Sequence, residues 1–341
     1  MTVTTTLHFD IEAPALLALD WGTSSLRAFL IDKRGEVAIH REAAWGIQQL
    51  PSPPANGGFD LAFELIAGDW IARWPLLPVI ACGMVGSAQG WCEAPYVSCP
   101  ADLASLSSRL VHVRSRLGID VHIAPGLLLP RRRKNVGADI LPDVMRGEEV
   151  QILGALYLHH ELAERVCLVL PGTHSKWAWV EAGSVMHFMT SMAGELFSVL
   201  RQHSILGRLM PAALTPSINL PAFEQGVELG YKAAPGKLIT LLFSVRSMEL
   251  TGELPSDALP DYLSGLLIGT ELAAALRGPD VLQDSPLALI GSPVLTQRYG
   301  HALAAVGHAS NVVLDNTAPQ GLWQIALASG LVPQPETTHV A

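Results

Sequence analysis

The stretch LLALDWGTSSLRAFLI at residues 16–31 returns as VCLVLPGTHSKWAWVE at residues 166–181. Gly22 and Gly172 are separated by 172 − 22 = 150 positions, and matching Thr, Ser and Ala residues keep this offset. Each copy contains an apolar run, a Gly-Thr-x-Ser turn and a second apolar run. Glycine lets the backbone approach an anion closely, and Thr and Ser hydroxyls can donate to phosphate oxygens. Two facing copies predict a clamp around a polyphosphate, and therefore an ATP-handling enzyme of duplicated architecture.

Composition favours a two-domain protein with a large interior. The chain has 341 residues, of which 49% are hydrophobic and only 16% are charged, whereas an average domain is about one-quarter charged. The net charge, 22 − 31 = −9, disfavours a nucleic-acid or anionic membrane partner. The basic run RRRK at 131–134 is too short for a binding patch, and we interpret it as a solvated loop near an active cleft.

Cysteine usage and the apolar stretches predict a cytoplasmic protein. The four cysteines form no CxxC pair and have no His at ligand spacing, which favours reduced thiols over a zinc site. No Lys or Arg precedes Arg27, so a secretory n-region is missing. The uncharged stretch 74–92 is interrupted by Pro and Gly, and it is typical of a strand and loop rather than a membrane span. The low charged content also permits a homo-oligomer.

The periodicity predicts two α/β domains with a cleft between them, at 14–147 and 148–331, and flexible ends at 1–13 and 332–341. Each domain begins with a three-strand antiparallel meander. In each, a helix and a further strand follow the meander. These are expected at 59–73 and 79–84 in the first domain, and at 262–277 and 287–290 in the second. An amphipathic helix at 148–161 would join the domains.

Asp20 ends the first predicted strand and precedes the Gly22 turn. An acidic group beside a phosphate loop can hold Mg²⁺ through water molecules, because magnesium keeps several of its hydration waters. The alternative is an aspartate that only hydrogen-bonds its own turn. The Gly-Thr-Ser-Ser sequence that follows favours the metal role.

Several motifs resemble one enzyme family. DWGTSSLRAFL and PGTHSKW look like the two phosphate motifs of the sugar kinase, Hsp70 and actin superfamily. Together with CGMVGSAQGWCEAPY and DVMRGEE, they resemble the 2-dehydro-3-deoxygalactonokinase family over about 17–331. The resemblance implies two duplicated ribonuclease H-like (actin-like ATPase) domains around a central ATP and substrate cleft. It also implies ATP with Mg²⁺ as cofactors, and transfer of phosphate to the 6-hydroxyl of 2-dehydro-3-deoxy-D-galactonate in galactonate breakdown.

The resemblance gives the two turns nucleotide-binding roles. His174 in the second turn is expected to be a hydrogen-bond partner within the loop rather than a base, because phosphoryl transfer needs mainly positioning and charge stabilisation. The expected phosphate-binding residues are Gly22, Thr23, Ser24, Gly172, Thr173, Ser175 and Lys176. Gly291 and Ser292 follow a predicted strand, where superfamily members place a turn against adenosine.

The acceptor hydroxyl needs a carboxylate within hydrogen-bond reach to take its proton. In the superfamily this group commonly lies at the start of the connecting helix, which favours Glu148, with Asp143 and then Asp139 as alternatives. A glutamate in a first helical turn is also favoured by the helix dipole alone. Arg146 lies beside the expected base and is included with the catalytic residues.

A sugar-acid pocket must bind a carboxylate and several hydroxyls. Arginine suits a carboxylate because its planar fork can bind two oxygens, and either Arg27 or Arg146 could serve. The expected substrate-binding residues are Ser25, Arg27, Met84, Ser87, Gln89 and Glu195. Glu195 could instead only cap a helix.

Three other functions compete with this one. The nearest is a kinase for a different 2-keto-3-deoxy sugar acid. The second is an actin- or Hsp70-like nucleotide switch, which would use the same clamp, although no substrate-binding module follows the second half. A relative of exopolyphosphatases is the third.

Overall fold

The computed structural model describes residues 3–132, 141–213, 217–277 and 285–334, which form a mixed α/β fold. The strands are β1 (Thr4–Leu7), β2 (Leu16–Trp21), β3 (Leu26–Ile31), β4 (Val37–Ala43), β5 (Val79–Cys82), β6 (Tyr96–Ser98), β7 (Val111–Arg114), β8 (Asp120–Ile123), β9 (Gly126–Leu129), β10 (Asp143–Met145), β11 (Arg165–Leu170), β12 (Ser175–Glu181), β13 (Ser184–Ser191), β14 (Leu287–Ile290) and β15 (Val312–Leu314). The helices are α1 (Gly58–Arg73), α2 (Leu103–Ser107), α3 (Glu148–Leu158), α4 (Ala193–His203), α5 (Leu220–Lys232), α6 (Leu238–Leu241), α7 (Ser244–Leu250), α8 (Leu259–Arg277), α9 (Pro293–Ala305) and α10 (Ala318–Ala328).

The chain folds into two compact units. Among the described residues, unit 1 contains 3–132, 141–164, 180–187 and 316–334, and unit 2 contains 165–179, 188–213, 217–277 and 285–315. Arg133, Lys134 and Asp139, singled out in the sequence, lie outside the described residues, as do 1–2 and 335–341 of the two predicted flexible ends.

Unit 1 is built on a seven-stranded sheet with the order β1-β4-β3-β2-β5-β8-β7. The meander β2–β3–β4 is antiparallel, while β5 pairs in parallel with both β2 and β8. Every residue of β2 is buried, as expected for a central strand covered on both faces. Trp21 from β2 packs in one core with Phe63 and Ile66 from α1. A separate three-stranded sheet has the order β10-β9-β6.

Part of the predicted N-terminal extension is a strand in the structure. Residues 4–7 form β1, which pairs antiparallel with β4, so that Leu7 faces Ile39 in the register. All four side chains of β1 are exposed. Main-chain hydrogen bonds to the sheet edge therefore hold this segment, and the apolar pattern of the sequence does not reveal it.

Helix α3 is placed in unit 1, whereas the sequence prediction made it the first element of the second domain. It packs against α10 through small residues. A Cβ added at Gly154 would lie 1.9 Å from the carbonyl oxygen of Thr317, and one added at Gly321 would lie 1.9 Å from that of Val150. The Thr317 hydroxyl also donates to the Gln151 carbonyl at 2.6 Å. This close backbone contact unites α3 with the C-terminal helix of the described chain.

Unit 2 is organised around a sheet with the order β13-β12-β11-β14-β15, in which β11, β14 and β15 run parallel. Residues 180–187, at the tip of the β12–β13 hairpin, belong to unit 1. The sheet order matches β4-β3-β2-β5-β8 of unit 1 position by position. Cys167 and Trp177 on the sheet share a core with Phe223 of α5 and Leu272 of α8.

Candidate active site

Asp20 is the penultimate residue of β2 and is buried, with 7% of its surface exposed. Arg27 is its register partner on β3, and the Arg27 Nη2 lies 2.7 Å from Asp20 Oδ2. Burial raises the pKa of Asp20 above its ordinary value despite the charge of Arg27, and the negative charges of Glu148 and Glu42 add to this rise. The Asn316 side chain hydrogen-bonds to the same carboxyl group. The carboxylate of Asp20, near the end of β2, and that of Glu148, at the start of α3, therefore interact electrostatically.

The first Gly-Thr-Ser-Ser turn is braced by the chain after β4. The Gly22 N–H donates to the Ser25 carbonyl at 3.0 Å, and residues 47 and 48 donate to the carbonyls of Gly22 and Thr23. The side chains of Thr23 and Ser24 are exposed, while Ser25 is half-buried. The main chain of the turn is thus held in place with two hydroxyl side chains facing outward.

The start of α3 holds two glutamates in different settings. The Gly147 N–H donates to both oxygens of Glu149, at 2.8 and 2.7 Å. Glu149 is 1% exposed, and its pKa is raised to about 8, first by burial and then by the charge of Glu148. Glu148 is half-buried and accepts a hydrogen bond from the Arg146 N–H at 3.1 Å. Glu148 is therefore the more accessible carboxylate of the pair.

Glu148, rather than Asp143, is among the charges that shift the pKa of Asp20. Asp143 begins β10, opposite Leu129, and its Oδ1 accepts from the neighbouring Val144 N–H at 2.7 Å. The helix start is brought to β5 by Gly147, where an added Cβ would lie 3.2 Å from the Gly83 Cα. The geometry favours Glu148 as the candidate base.

The predicted substrate residues after β5 lie in a tight turn of unit 1. Residues 84–86 form a 3-10 turn, Met84 and Ser87 are half-buried, and Gln89 is exposed. The Arg146 Nη2 donates to the Ala94 carbonyl at 2.8 Å, and its guanidinium lies 4.4 Å from the centre of the Tyr96 ring. A Cβ added at Gly86, next to Ser87, would lie 3.0 Å from Arg146 Nη1, so Arg146 lies against this turn.

The second Gly-Thr-x-Ser turn, in unit 2, connects β11 to β12. Thr173 is exposed and Gly172 half-buried, but Ser175 is fully buried. The Ser175 hydroxyl bonds the Tyr299 hydroxyl at 2.7 Å, and buried Lys176 donates to the His174 carbonyl at 3.1 Å. This placement of Ser175 differs from the predicted phosphate contact, because its hydroxyl is used to support the turn.

Helix α4 begins directly against this turn. A Cβ at Gly194 would lie 2.4 Å from the Gly172 carbonyl oxygen, and the Glu195 N–H donates to the Thr173 carbonyl at 3.0 Å. The Glu195 carboxylate pairs with His174 Nε2. The His174 side chain, predicted to be a hydrogen-bond partner within its loop, pairs in this structure with the first turn of α4. The sequence predicts that Glu195 binds the substrate. In the structure, its carboxylate and its main-chain N–H both hydrogen-bond to the second turn.

A cavity of about 240 Å³ lies beside the second turn, inside unit 2. Its lining is mostly apolar and comes from the turn, α4, α8 and α9: Gly172, Ala193, Gly194, Phe197, Pro211, Asp257, Pro260, Asp261, Ser264, Leu267, Ile268, Val294, Leu295, Arg298 and Tyr299. Gly291 and Ser292 precede α9, and Ser292 is its N-cap residue. The predicted adenosine turn therefore leads into the helix that lines the cavity, but its own two residues are not part of the lining.

Two polar groups of this cavity escaped the sequence prediction. Arg298 Nη2 lies 2.8 Å from Asp261 Oδ1, and the other oxygen of Asp261 accepts from the Asn219 N–H at 2.7 Å. Arg298 and Asp261 are 37 positions apart (298 − 261). Their pairing depends on the packing of α8 against α9, and no sequence signal reveals it.

Glu271 is a further residue that sequence reasoning missed. It lies on α8 and is 4% exposed. Its Oε1 accepts from Trp177 Nε1 at 2.7 Å and from the Tyr299 hydroxyl at 3.0 Å. Burial raises the pKa of Glu271. A signal was present, because Glu271 is the one charged residue between Asp261 and Arg277 in an otherwise apolar helix.

The described residues contain no group of three or more His, Cys, Asp or Glu that could hold a metal ion by themselves. A magnesium ion bound by one carboxylate, water and phosphate oxygens does not need such a group. Asp20 fits that requirement, since it is a carboxylate at the first turn. Over the same part of the chain, no helix is long and apolar enough to cross a membrane.

Comparison with known proteins gives one consistent family. Residues 20–325 match the family model described as 2-keto-3-deoxy-galactonokinase. The 2-dehydro-3-deoxygalactonokinase of Escherichia coli K12 is 36% identical over 316 residues, which cover 92% of this chain and 97% of that protein. A crystal structure of a candidate 2-dehydro-3-deoxygalactonokinase from Sinorhizobium meliloti has a TM-score of 0.79 at 36% identity, covering 91% of this chain and 98% of that one. The resemblance seen in the motifs is confirmed, and the chain belongs to the 2-keto-3-deoxy-galactonokinase family.

Proposed function

We propose that the protein transfers the γ-phosphoryl group of ATP to the 6-hydroxyl of 2-dehydro-3-deoxy-D-galactonate, in the breakdown of D-galactonate. The observation that carries this proposal is the family match over most of the chain, to relatives named for that activity. The reaction uses ATP, and we therefore assign it to the cytoplasm. A kinase for another 2-keto-3-deoxy sugar acid is the nearest alternative, since both substrates share the carboxylate and the terminal hydroxyl.

The architecture supports the duplicated ribonuclease H-like arrangement that the motifs imply. Both units contain five strands in the same order, with the corresponding Gly-Thr-x-Ser turns between β2 and β3 and between β11 and β12. We take the domain division as that of the two compact units, which assigns α3 and α10 to the first.

Unit 2 provides the features for nucleotide binding. The apolar cavity has a size suited to a base and part of its sugar, and the turn at 172–175 lies at its edge. Main-chain N–H groups of Gly172 and Thr173 and the Thr173 hydroxyl would donate to phosphate oxygens. Lys176 is a positive charge within the same turn, although its buried position favours a supporting electrostatic role.

Unit 1 provides the features for the metal and the acceptor. Asp20 would hold Mg²⁺ through water, and the outward hydroxyls of Thr23 and Ser24 would meet phosphate oxygens. Bound Mg²⁺ neutralises charge on the transferred phosphoryl group. Glu148 would accept the proton of the 6-hydroxyl as a general base. Arg27 offsets part of the charge of Asp20 and so opposes the rise in its pKa that burial causes.

The substrate assignment is tested with purified enzyme, ATP and a panel of 2-keto-3-deoxy sugar acids. We expect kcat/KM for the galactonate-derived acid to exceed that for its gluconate-derived epimer by at least about tenfold, since buried hydroxyl partners discriminate strongly. Equal or better turnover of the epimer would reject the named substrate in favour of the alternative kinase. Phosphate at any position other than C6, found by NMR of the product, would reject the proposed acceptor hydroxyl.

A further inference from the structure

Arg146 is a buried cation whose hydrogen bonds are incomplete. The residue is 8% exposed, and Nη2 donates to the Ala94 carbonyl at 2.8 Å. Among the described residues, its buried Nε and Nη1 atoms have no hydrogen-bond partner. A buried guanidinium with unused donors costs free energy unless an anion or another acceptor meets it. This arrangement therefore requires an acceptor that the described part of the chain does not supply.

The nearest glutamates in sequence are engaged elsewhere. Glu148 accepts from the main-chain N–H of Arg146, and Glu149 accepts from that of Gly147. Neither forms an ion pair with the Arg146 guanidinium within 4.0 Å, and no other described carboxylate does. Arg27 differs, since its guanidinium already has Asp20 at 2.7 Å. Of the two arginines weighed for a substrate carboxylate, only Arg27 forms an ion pair within 4.0 Å among the described residues, whereas the charge of Arg146 acts on Glu149 from a greater distance.

The turn whose Gly86 lies against Arg146 carries a second polar side chain without a hydrogen-bond partner. A Cβ at Gly86 would lie 3.0 Å from Arg146 Nη1, so this glycine leaves space at the guanidinium. The next residue, Ser87, has a buried Oγ that also lacks a hydrogen-bond partner. The Ala94 N–H donates to the Gly86 carbonyl at 2.9 Å, and the Ala94 carbonyl accepts from Arg146. One residue thus holds both the turn and the arginine in place.

We propose that Arg146 and Ser87 bind the C1 carboxylate of the sugar acid and so select an anionic 2-oxo acid over a neutral sugar. The two oxygens of a carboxylate can accept several hydrogen bonds, which suits a guanidinium and a hydroxyl together. The main-chain N–H of Arg146 holds Glu148, while its side chain carries the unused donors. The C1 carboxylate and the 6-hydroxyl lie at opposite ends of a six-carbon acid, so the Arg146 side chain and Glu148 would contact different ends of the substrate. The inference rests on the proposed function.

The experiment compares 2-dehydro-3-deoxy-D-galactonate with its neutral methyl ester in the wild type and in variants. We expect the wild type to prefer the acid by about 100-fold in kcat/KM, the range of a charge-assisted contact. Arg146→Gln should reduce this preference to within about threefold of unity, and Arg146→Lys should keep part of it. Ser87→Ala should reduce it by about three- to tenfold. Affinity for an ATP analogue should be unchanged in all three variants.

Arg73→Gln is the matched control, because Arg73 is exposed and lies 4.6 Å from the Trp74 ring centre. It should keep the wild-type preference. A folded Arg146→Gln enzyme with that preference would overturn the inference, as would a wild type that phosphorylates acid and ester equally well. If Arg146→Gln does not fold, an unchanged preference in Ser87→Ala overturns it. If the wild type does not phosphorylate the acid at all, the proposed function is rejected together with this inference. If the wild type phosphorylates the acid normally and the variants keep its preference for the acid over the ester, only this inference is rejected.

Discussion

Glu148 and Glu149 are neighbours in sequence but differ in burial. With a pKa of about 8, Glu149 is mostly protonated at pH 7. Its bonds to the Gly147 N–H stabilise the start of α3. Glu148 is half-buried and accepts a hydrogen bond from the Arg146 N–H at 3.1 Å. Glu148 is thus suited to accept a proton, and Glu149 is suited to hold Glu148 in position at the start of α3.

Replacing each glutamate by glutamine separates these roles. Glu148→Gln should lower kcat by at least about 100-fold while ATP-analogue binding is retained, because general-base catalysis contributes on that scale. Glu149→Gln is the matched control and should keep kcat at pH 7 within a few-fold, since glutamine resembles a protonated glutamate. Full activity of Glu148→Gln would move the base to Asp143 or Asp139.

The stability of the same variants depends on pH in a defined direction. The folded pKa of Glu149 is above its ordinary value of 4.5, so the folded protein retains a proton that the unfolded chain releases. The free energy of unfolding of the wild type therefore falls as pH rises from 4.5 to about 8, by at most about 1.4 kcal/mol per pH unit. In thermal melts, the stability of Glu149→Gln relative to that of the wild type should increase between pH 5 and pH 8. An equal difference at both pH values would contradict the assigned protonation.

At the scale of elements, Glu271 connects α8, β12 and α9 to the second Gly-Thr-x-Ser turn. The bonds run from Trp177 and Tyr299 to Glu271, and from Tyr299 to Ser175 in the turn. Tyr299 also lines the cavity of unit 2. The position of the turn relative to the cavity is therefore set by hydrogen bonds from three elements.

Tyr299→Phe tests this connection because it removes one hydroxyl and keeps the ring. We expect KM for ATP to rise by about three- to tenfold, as for loss of one or two hydrogen bonds, with little change in KM for the acid. Steady-state kinetics with each substrate varied in turn provides the measurement. Leu287→Val, on β14 in the same core but outside the cavity lining, controls for general loosening. Equal effects of Tyr299→Phe on both KM values would indicate a purely structural role.

At the scale of the whole molecule, a kinase and a nucleotide switch differ in how ATP is consumed. The proposed base lies in unit 1 and the cavity in unit 2, and the proposed reaction needs the acceptor as well as ATP. ADP release without the sugar acid should be slower than with it by at least about 100-fold, because a bound acceptor supplies the oriented nucleophile. A coupled ADP assay with and without the acid measures this ratio. Hydrolysis that is independent of any acceptor, accompanied by filaments in light scattering, would favour the switch.

Much of the architecture could be predicted from the sequence. The apolar runs on either side of Gly22 and Gly172 are strands β2, β3, β11 and β12, as predicted. The helices at 59–73 and 262–277 are found as α1 and α8 with small shifts in their ends. Strand and helix periodicity, together with glycine turns, are local properties of the chain, and burial of the apolar runs agrees with them.

The sequence by itself determined the repeated strand–turn–strand units and the family, and it predicted the candidate base at the start of the helix that begins at Glu148. Only the tertiary structure decided that Ser175 is buried under Tyr299, that Arg27 is occupied by Asp20, and that Arg146 has unused donors. The physical reason is the range of the interactions. Turn chemistry and apolar periodicity act between neighbouring residues. Burial and hydrogen-bond partnership depend on packing between positions far apart in the chain, such as Ser175 and Tyr299, which are separated by 124 residues.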